Sequence, residues 1–183
     1  MSAKKKVVQI RTVRAGDLER LLGVERATFP EGPYDLEIFR ELHRDCGGLF
    51  FVAVCFRRIV GYMVTCVDKA QAEIVSIGIA PKRQKMGIGT RLMECTLAAL
   101  EERGILRIEL MVRTTNEDGQ RFYRKFGFRR AGRVSHYYED RGDAFHMTKT
   151  LHAGTRSSRG SGTTAGIRIR HGRSPRYYDR QLA

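Results

Sequence analysis

With 183 residues, the chain has room for one domain and a tail, and enough length to bury a real core. A formal charge of +14 points to an acidic partner, whether a phosphorylated cofactor, nucleic acid or a ribonucleoprotein surface, and does not choose among them. No apolar run is long enough to cross a bilayer and charged residues 1–6 have no apolar stretch behind them, so a cytoplasmic protein without a membrane partner is expected.

Residues 7–13 alternate apolar and polar types and read as a first strand, broken by Ala15-Gly16-Asp17. Asp17 is the expected N-cap of a helix carrying Leu18, Leu21, Leu22 and Glu25, ending near Phe29-Pro30, because a residue before proline is pushed out of helical geometry. After the loop 30–33, Asp35 caps a second helix with Leu36, Phe39 and Leu42 on one face. Cys46-Gly47-Gly48 turns the chain into the apolar run 49–56, Arg57-Arg58 supplies a tight turn, and residues 59–67 return as an antiparallel partner. A further turn at 68–71 leads to strand 72–80, completing a three-strand meander.

The next stretch is a basic glycine loop, Gln84-Lys85-Met86-Gly87-Ile88-Gly89, running directly into a helix over 88–103 with Leu92, Thr96, Ala99 and Leu100 at helical spacing and Gly104 placed for a left-handed C-terminal cap. Strand 106–112 then closes a βαβ unit. Asn116 caps a short helix through Lys125 that Gly127 ends, and residues 128–138 and 144–151 are two more strands around the turn 140–143. A domain over 1–152 is therefore followed by 153–183, which is rich in arginine, glycine and serine and has little to form a core; it is expected to be a disordered basic tail. Arg176 and Tyr177-Tyr178 could stack on bases there, a weak RNA or ribosome association. Cys46, Cys55, Cys66 and Cys95 lack CxxC spacing and lie mostly in apolar segments, so reduced, buried thiols are expected, with neither disulfides nor a metal site.

Strand, glycine loop and helix together make an anion cradle: backbone N–H groups converge unobstructed and the helix N-terminus adds partial positive charge. The loop lacks the Lys-Ser/Thr of a P-loop, and Leu92 stands where a dinucleotide fingerprint has its third glycine, which argues against nucleotide hydrolysis and hydride transfer.

Gln84-x-x-Gly87-x-Gly89, the segment 112–116 with Asn116, and Phe122-Tyr123-Arg124-Lys125-Phe126-Gly127-Phe128 resemble the GNAT superfamily of acyl-CoA-dependent N-acyltransferases. Phe29-Pro30-Glu31, Tyr137-Tyr138, Asp143-Ala144 and Met147 are similar to its RimI-type and archaeal protein N-terminal acetyltransferases. The resemblance spans roughly residues 7 to 151 and implies the α/β (α+β) GNAT fold, a mixed central sheet of about seven strands with a β-β-β-loop-α-β cofactor core. Acetyl-CoA is the implied cofactor, with Gln84, Lys85, Met86, Gly87, Ile88, Gly89 and Thr90 at the pyrophosphate and Asn116 holding the cofactor further along. Ile77, Gly78 and Ile79 are expected to take the pantetheine arm where a parallel strand pair splays, with a bulge there aiming an amide at the thioester carbonyl.

The implied reaction is attack of a neutral amine on the thioester, so an ammonium of pKa about 8 (α-amine) or about 10.4 (lysine) must first lose a proton. Tyr123 is the implied acid that protonates the thiolate. RimI-type enzymes carry a glutamate where this chain has Met111, which cannot accept a proton; Glu73 takes its place as the expected base, matching the histone-acetylating branch of the superfamily, and Glu109 is expected to face away. Phe29, Glu31, Tyr34, Tyr137 and Tyr138 are expected to border the acceptor, with His136 nearby. Plainer roles stand beside these: helix capping for Asn116, packing for Tyr123, a solvated strand-end carboxylate for Glu73. Three functions remain open at this point: acetylation of a protein N-terminus, possibly ribosomal; acetylation of a lysine or small amine; and a weakly active acyl-CoA-binding module.

Overall fold

The computed structural model describes residues 8–151. The expected tail 153–183, with Arg176 and Tyr177-Tyr178, lies outside them. Seven strands form one sheet: β1 (Gln9–Thr12), β2 (Phe50–Cys55), β3 (Arg58–Asp68), β4 (Gln71–Ile79), β5 (Arg107–Arg113), β6 (Arg129–Val134) and β7 (Ala144–Thr150). Four helices accompany it: α1 (Leu18–Thr28), α2 (Leu36–Cys46), α3 (Ile88–Glu102) and α4 (Glu117–Lys125). The strand order is β1-β2-β3-β4-β5-β7-β6, and β4 with β5 is the parallel pair in an otherwise antiparallel sheet. The expected mixed sheet and β-β-β-loop-α-β run are both present.

The two sheet faces bury separate cores. On one, Ile74, Ile77, Ile79, Ile108, Leu110 and Val112 pack under Ile88, Leu92, Met93 and Leu100 of α3 and Tyr123 of α4. On the other, Val52, Tyr62, Val64 and Val75 pack under Leu18, Leu21 and Val24 of α1 and Phe39, Leu42 and Cys46 of α2. Central strand β3 is covered on both sides, which is why its sequence reads as a continuous apolar run rather than an alternating one.

Several local expectations hold for the reasons given. Gly104 sits at φ 67° after α3, with Gly104 N–H bonded to the Glu101 carbonyl at 2.9 Å and Ile105 N–H to that of Leu100 at 3.0 Å, a Schellman cap. The β2–β3 hairpin is tight as expected, but its turn falls one residue before Arg57-Arg58: Phe56 and Arg57 sit at φ 48° and 62°, the left-handed pair that such a turn requires, and Arg58 already begins β3.

Four expectations are corrected. Asp17 does not cap α1 with its side chain: a 3-10 turn, Ala15–Asp17, precedes the helix, and the carboxylate instead receives both Arg11 guanidinium nitrogens at 2.6 and 2.9 Å and the Arg14 N–H at 2.9 Å. The strand expected over 128–138 ends at Val134, because His136 at φ 52° and the 140–143 turn bend the chain away. Cys46 and Cys66 form a disulfide between the end of α2 and β3, their Cα atoms 4.9 Å apart, while Cys55 and Cys95 are free. The bulge lies earlier than 77–79: the β3–β4 register shifts between Val64 paired with Ser76 and Thr65 paired with Ile74, leaving Val75 unpaired.

Candidate active site

The glycine loop is built by local sequence. After the 3-10 turn Pro81–Arg83, Lys85 and Gly87 adopt φ 58° and 78° and fold the chain onto the start of α3. Gly87 is the N-cap, and no side chain accepts from the first turn, so the N–H groups of Ile88, Gly89 and Thr90 are left to an outside acceptor at the positive end of a 15-residue helix. Gln84 does not reach outward: its Nε2 donates to the Ile79 carbonyl at 3.2 Å and ties the loop to the end of β4. Lys82, Lys85, Met86 and Thr90 are exposed, with Met86 an apolar lip, whereas the Ile88 side chain is buried and offers only backbone.

Beside this cradle, β4 and β5 part. Their parallel ladder consists of Gln71 with Arg107, Ala72 with Ile108 and Glu73 with Glu109; beyond that rung β4 stays paired with β3 and β5 with β7. Ile77, Gly78 and Ile79 therefore lie well into the splay. Gly78 has a packing reason as well, since a Cβ there would stand 2.6 Å from the Tyr62 ring. The bulge at Val75 changes the alternation along β4: Ala72, Ile74, Ile77 and Ile79 all belong to the α3 side, whereas Val75 joins the α1 and α2 side. Glu73, between Ala72 and Ile74, points to that second side with Val75, and not with Ile77 and Ile79 as an unbulged strand would have it.

Glu109 does not face away from Met111. Ile108, Leu110 and Val112 point into the α3-side core, so Glu109, Met111 and Arg113, two apart from one another, share the opposite face with Glu73. His146 of β7, the cross-strand partner of Met111, places Nε2 3.2 Å from Glu109 Oε2.

Tyr123 is set by the end of α4. Gly127 at φ 84° allows Phe128 N–H to bond the Tyr123 carbonyl at 3.2 Å and Gly127 N–H that of Arg124 at 3.0 Å, a second Schellman cap, with the Tyr123 and Phe128 rings 5.8 Å apart. The side chain is fully buried, and its hydroxyl has no hydrogen-bond partner among the described residues. Burial, and then the neighbouring Tyr138 hydroxyl, push the phenol well above its ordinary pKa, so it stays a proton donor at neutral pH. A buried hydroxyl without a partner costs about 1–3 kcal/mol, which an acceptor atom brought alongside would offset. Asn116 caps α4, its Oδ1 accepting from Gly119 N–H at 2.8 Å.

Each splayed strand carries one piece of the expected acceptor wall at its C-terminal end. At β4, Thr28 Oγ1 bonds the Ile79 carbonyl at 3.3 Å and holds the start of the loop with Phe29 and exposed Glu31. At β5, the Arg113 guanidinium lies 3.9 Å from the Tyr138 ring centroid and pairs with Asp140 at 2.8 Å; Tyr138 is as buried as Tyr34, and half-buried Tyr137, packed edge-on against it at 5.0 Å, is the residue of this turn that reaches the surface. His136 is exposed, its N–H bonded to Asp143 at 2.9 Å.

Comparison with known proteins agrees with this geometry. Residues 17–128 match the acetyltransferase (GNAT) family. The chain belongs to the GNAT family. It is thus an acetyl-CoA-dependent acyltransferase. An N-alpha-acetyltransferase of Sulfolobus acidocaldarius is 29% identical over 163 residues, covering 81% of this chain and 96% of that protein. A putative [ribosomal protein bS18]-alanine N-acetyltransferase of Bacillus subtilis is 26% identical, covering 78% and 95%. The solved structure of Arabidopsis thaliana Naa50 in complex with the bisubstrate analogue CoA-Ac-MVNAL superposes with a TM-score of 0.69 at 26% identity, covering 79% of this chain and 99% of that one.

Within this GNAT domain, Tyr34 is a core residue and not an accessible wall. Its ring packs edge-on against Phe39 at 5.9 Å, and its N–H donates to Glu25 Oε1 at 2.9 Å. Glu25 is the positioning group that the helical pattern concealed. It is fully buried, its Oε2 accepts from the Tyr62 hydroxyl at 2.5 Å, and that hydroxyl meets Ser76 Oγ at 3.0 Å, so one carboxylate joins α1, the acceptor loop and the bulged part of β4. The signal was an acid on the same helical stripe as Leu18, Leu21 and Leu22. Plain alternation along β5 puts Glu109 on the face of Met111, whereas His146 joins them only through the β5–β7 register.

Proposed function

We propose that this GNAT enzyme acetylates the N-terminal α-amine of a protein. The observation carrying that reading is the splay itself: the two strands that part end in a loop bearing Phe29 and Glu31 and a turn bearing Tyr137 and Tyr138, a bordered opening suited to a chain end entering end-on. Relatives named N-alpha-acetyltransferase support it, as does a similar fold bound to a joined CoA and peptide.

The residues present fit an acyl-CoA. Backbone N–H groups of residues 88–90 with Lys82 and Lys85 would hold the pyrophosphate, the open edges of 77–79 the pantetheine amides, and the Tyr123 hydroxyl would face the sulfur. Bound there, the thioester supplies an activated acyl group. Glu73 takes one proton from the incoming ammonium. As the amine took the acyl group from sulfur, Tyr123 would supply the proton for the leaving sulfur and would recover one from the nitrogen, so that one proton per turnover passes through Glu73 to water.

A ribosomal acceptor and RNA association through the tail belong to the same proposal, supported by the +14 charge, and a cytoplasmic location follows from that choice of acceptor. Peptides with free and blocked α-amines test the acceptor: acetylation of the free series alone is expected, and transfer to internal lysines of blocked peptides sinks the reading. Truncation after His152 is expected to leave short-peptide turnover intact and reduce salt-sensitive RNA binding; equal binding removes the tail's role.

A further inference from the structure

The last rung of the parallel ladder places two carboxylates side by side, Glu73 on β4 and Glu109 on β5, on the face beneath α1 and α2. The rung is also where the strands begin to part. Between neighbouring parallel strands the spacing is about 4.8 Å, so both side chains reach one small volume. Like charges on adjacent strands oppose one another, and a cation between them removes that opposition. Met111, the next residue of β5 on this face, has no proton-accepting atom. His146, across from it on β7, reaches diagonally to Glu109 instead. An ionised carboxylate only accepts, so Nε2 is the donor in that 3.2 Å contact. The side chains are 12% exposed for His146 and 26% for Glu109, so the pair is sheltered but open to water on one side.

We propose that Glu109 is a second proton-accepting residue for the incoming ammonium and that His146 is its positioning residue. The proposal rests on the acetyl-transfer reading above and adds the device that handles the proton. Glu73 and Glu109 hold the ammonium between them. One N–H bond breaks with its proton going to a carboxylate, and the freed lone pair attacks the thioester carbon. The carboxylate then loses that proton to water through the exposed side of Glu109, returning the pair to its starting charge. His146 donates to Glu109 Oε2 from the β7 side of β5 and so holds the carboxylate in one orientation, the task that a side chain too short or too apolar at 146 could not perform.

Other charged groups lie near the row. Arg113 stacks on Tyr138 and pairs with Asp140, and Glu25, in the helix layer over the same face, holds Tyr34 and Tyr62. Arg107 lies two rungs back on the same face of β5, at the Gln71 rung. Cys66, the β3 partner of Glu73, is tied up in the disulfide and does not titrate.

The experiment measures kcat, KM and their pH dependence on a free-amine peptide for wild type, Glu73→Gln, Glu109→Gln, the double variant, His146→Phe and His146→Gln, with CoA affinity and thermal unfolding as controls. Each single glutamate variant is expected to lose at least about tenfold in kcat/KM with CoA affinity unchanged, and the double variant to fall to background. His146→Phe removes the donor that favours the ionised carboxylate, so the acid limb of its kcat/KM profile moves to higher pH; His146→Gln, which keeps a donor, restores it. His146→Phe adds nothing in the Glu109→Gln background. Glu109→Gln within twofold of wild type from pH 6 to 9 overturns the proposal, as does a His146→Phe loss that is uniform with pH. Should wild type use only internal lysines, the N-terminal reading fails alone, and the same variants are read on that acceptor. A wild type that binds CoA and acetylates no amine overturns both.

Discussion

The cofactor cradle and the acceptor face are made in different ways. Residues 79–90 are contiguous: a strand end, two left-handed residues and an uncapped helix start place donors and charge within a single turn of chain. The proposed acceptor face draws Glu73 from β4, Glu109 from β5 and His146 from β7, and is bounded by segments attached to α1 and β5. A local site is specified by dihedral preferences that a sequence displays openly. A site made by strand pairing depends on register and bulges, where one residue of shift exchanges the two faces.

The largest expected effect separates the two regions. Glu73→Gln should lower kcat by about 10²–10³-fold, roughly 3–4 kcal/mol of transition-state stabilisation, while CoA affinity stays at the wild-type level. Stopped-flow or coupled thiol release, paired with calorimetry for CoA, reads the two halves independently. An equal fall in CoA affinity would mean that the regions are one coupled unit and that the division drawn here is mistaken.

Next in size is the Cys46–Cys66 bridge, which closes a 20-residue separation. On loop-closure entropy it contributes about 3 kcal/mol. Reduction, or Cys46→Ser, should lower the unfolding midpoint by several degrees. Because Cys66 pairs with Glu73 across β3 and β4, peptide turnover near the midpoint should fall before CoA binding does. Unfolding curves with and without reductant provide the check; identical curves would mean the two thiols are not joined in solution.

This pattern also explains what could be read in advance. The helix over α3 with its Gly104 cap and the Gly127 cap behind Tyr123 follow from short-range chemistry, and each is where the residues put it; the β2–β3 turn is off by one residue. The bulge at Val75 is not legible in Val75, which is an ordinary β-former; it appears only in the β3–β4 register. Hence Glu73 could be picked from the sequence while its sheet face could not. Glu109 was within reach, since simple alternation with Met111 puts both on one side, but its partner His146 lies 37 residues away and needs the β5–β7 register. Glu25 and the disulfide needed the same kind of long-range information.

Tyr123 sits where the two regions meet, and its removal should be felt less than that of Glu73. Tyr123→Phe is expected to lower kcat by about 10–10²-fold with little change in fold, because the hydroxyl makes no hydrogen bond among the described residues that its loss would break. Its pH behaviour is distinctive. Tyr123 and Tyr62 are both raised well above the ordinary phenol value by burial, so they keep their protons when folded while the unfolded chain begins to lose them near pH 10. Stability is therefore unaffected by these groups below about pH 10 and falls as pH rises beyond it, and Tyr123→Phe should lessen the alkaline loss. Alkaline unfolding followed by circular dichroism decides it; a phenol titrating at its ordinary value in the folded enzyme would contradict the buried donor.

The smallest effect belongs to the cradle alone. Gly87 holds φ 78° with open space where a Cβ would go, so Gly87→Ala meets no neighbour and is opposed by backbone strain only. A left-handed non-glycine residue costs roughly 1–2 kcal/mol, and the cradle can relieve that by relaxing Gly87 and tilting the first-turn N–H groups away from the pyrophosphate. CoA affinity should then weaken about 5- to 10-fold, while kcat at saturating acetyl-CoA and the acid limb set on the acceptor face stay unchanged. A variant with unaltered CoA affinity would show that the donors hold their aim without Gly87. A variant with normal affinity but a shifted acid limb would show that the cradle sets the geometry of Glu73 and Glu109 through β4, and that the local and the assembled halves of the site are mechanically one.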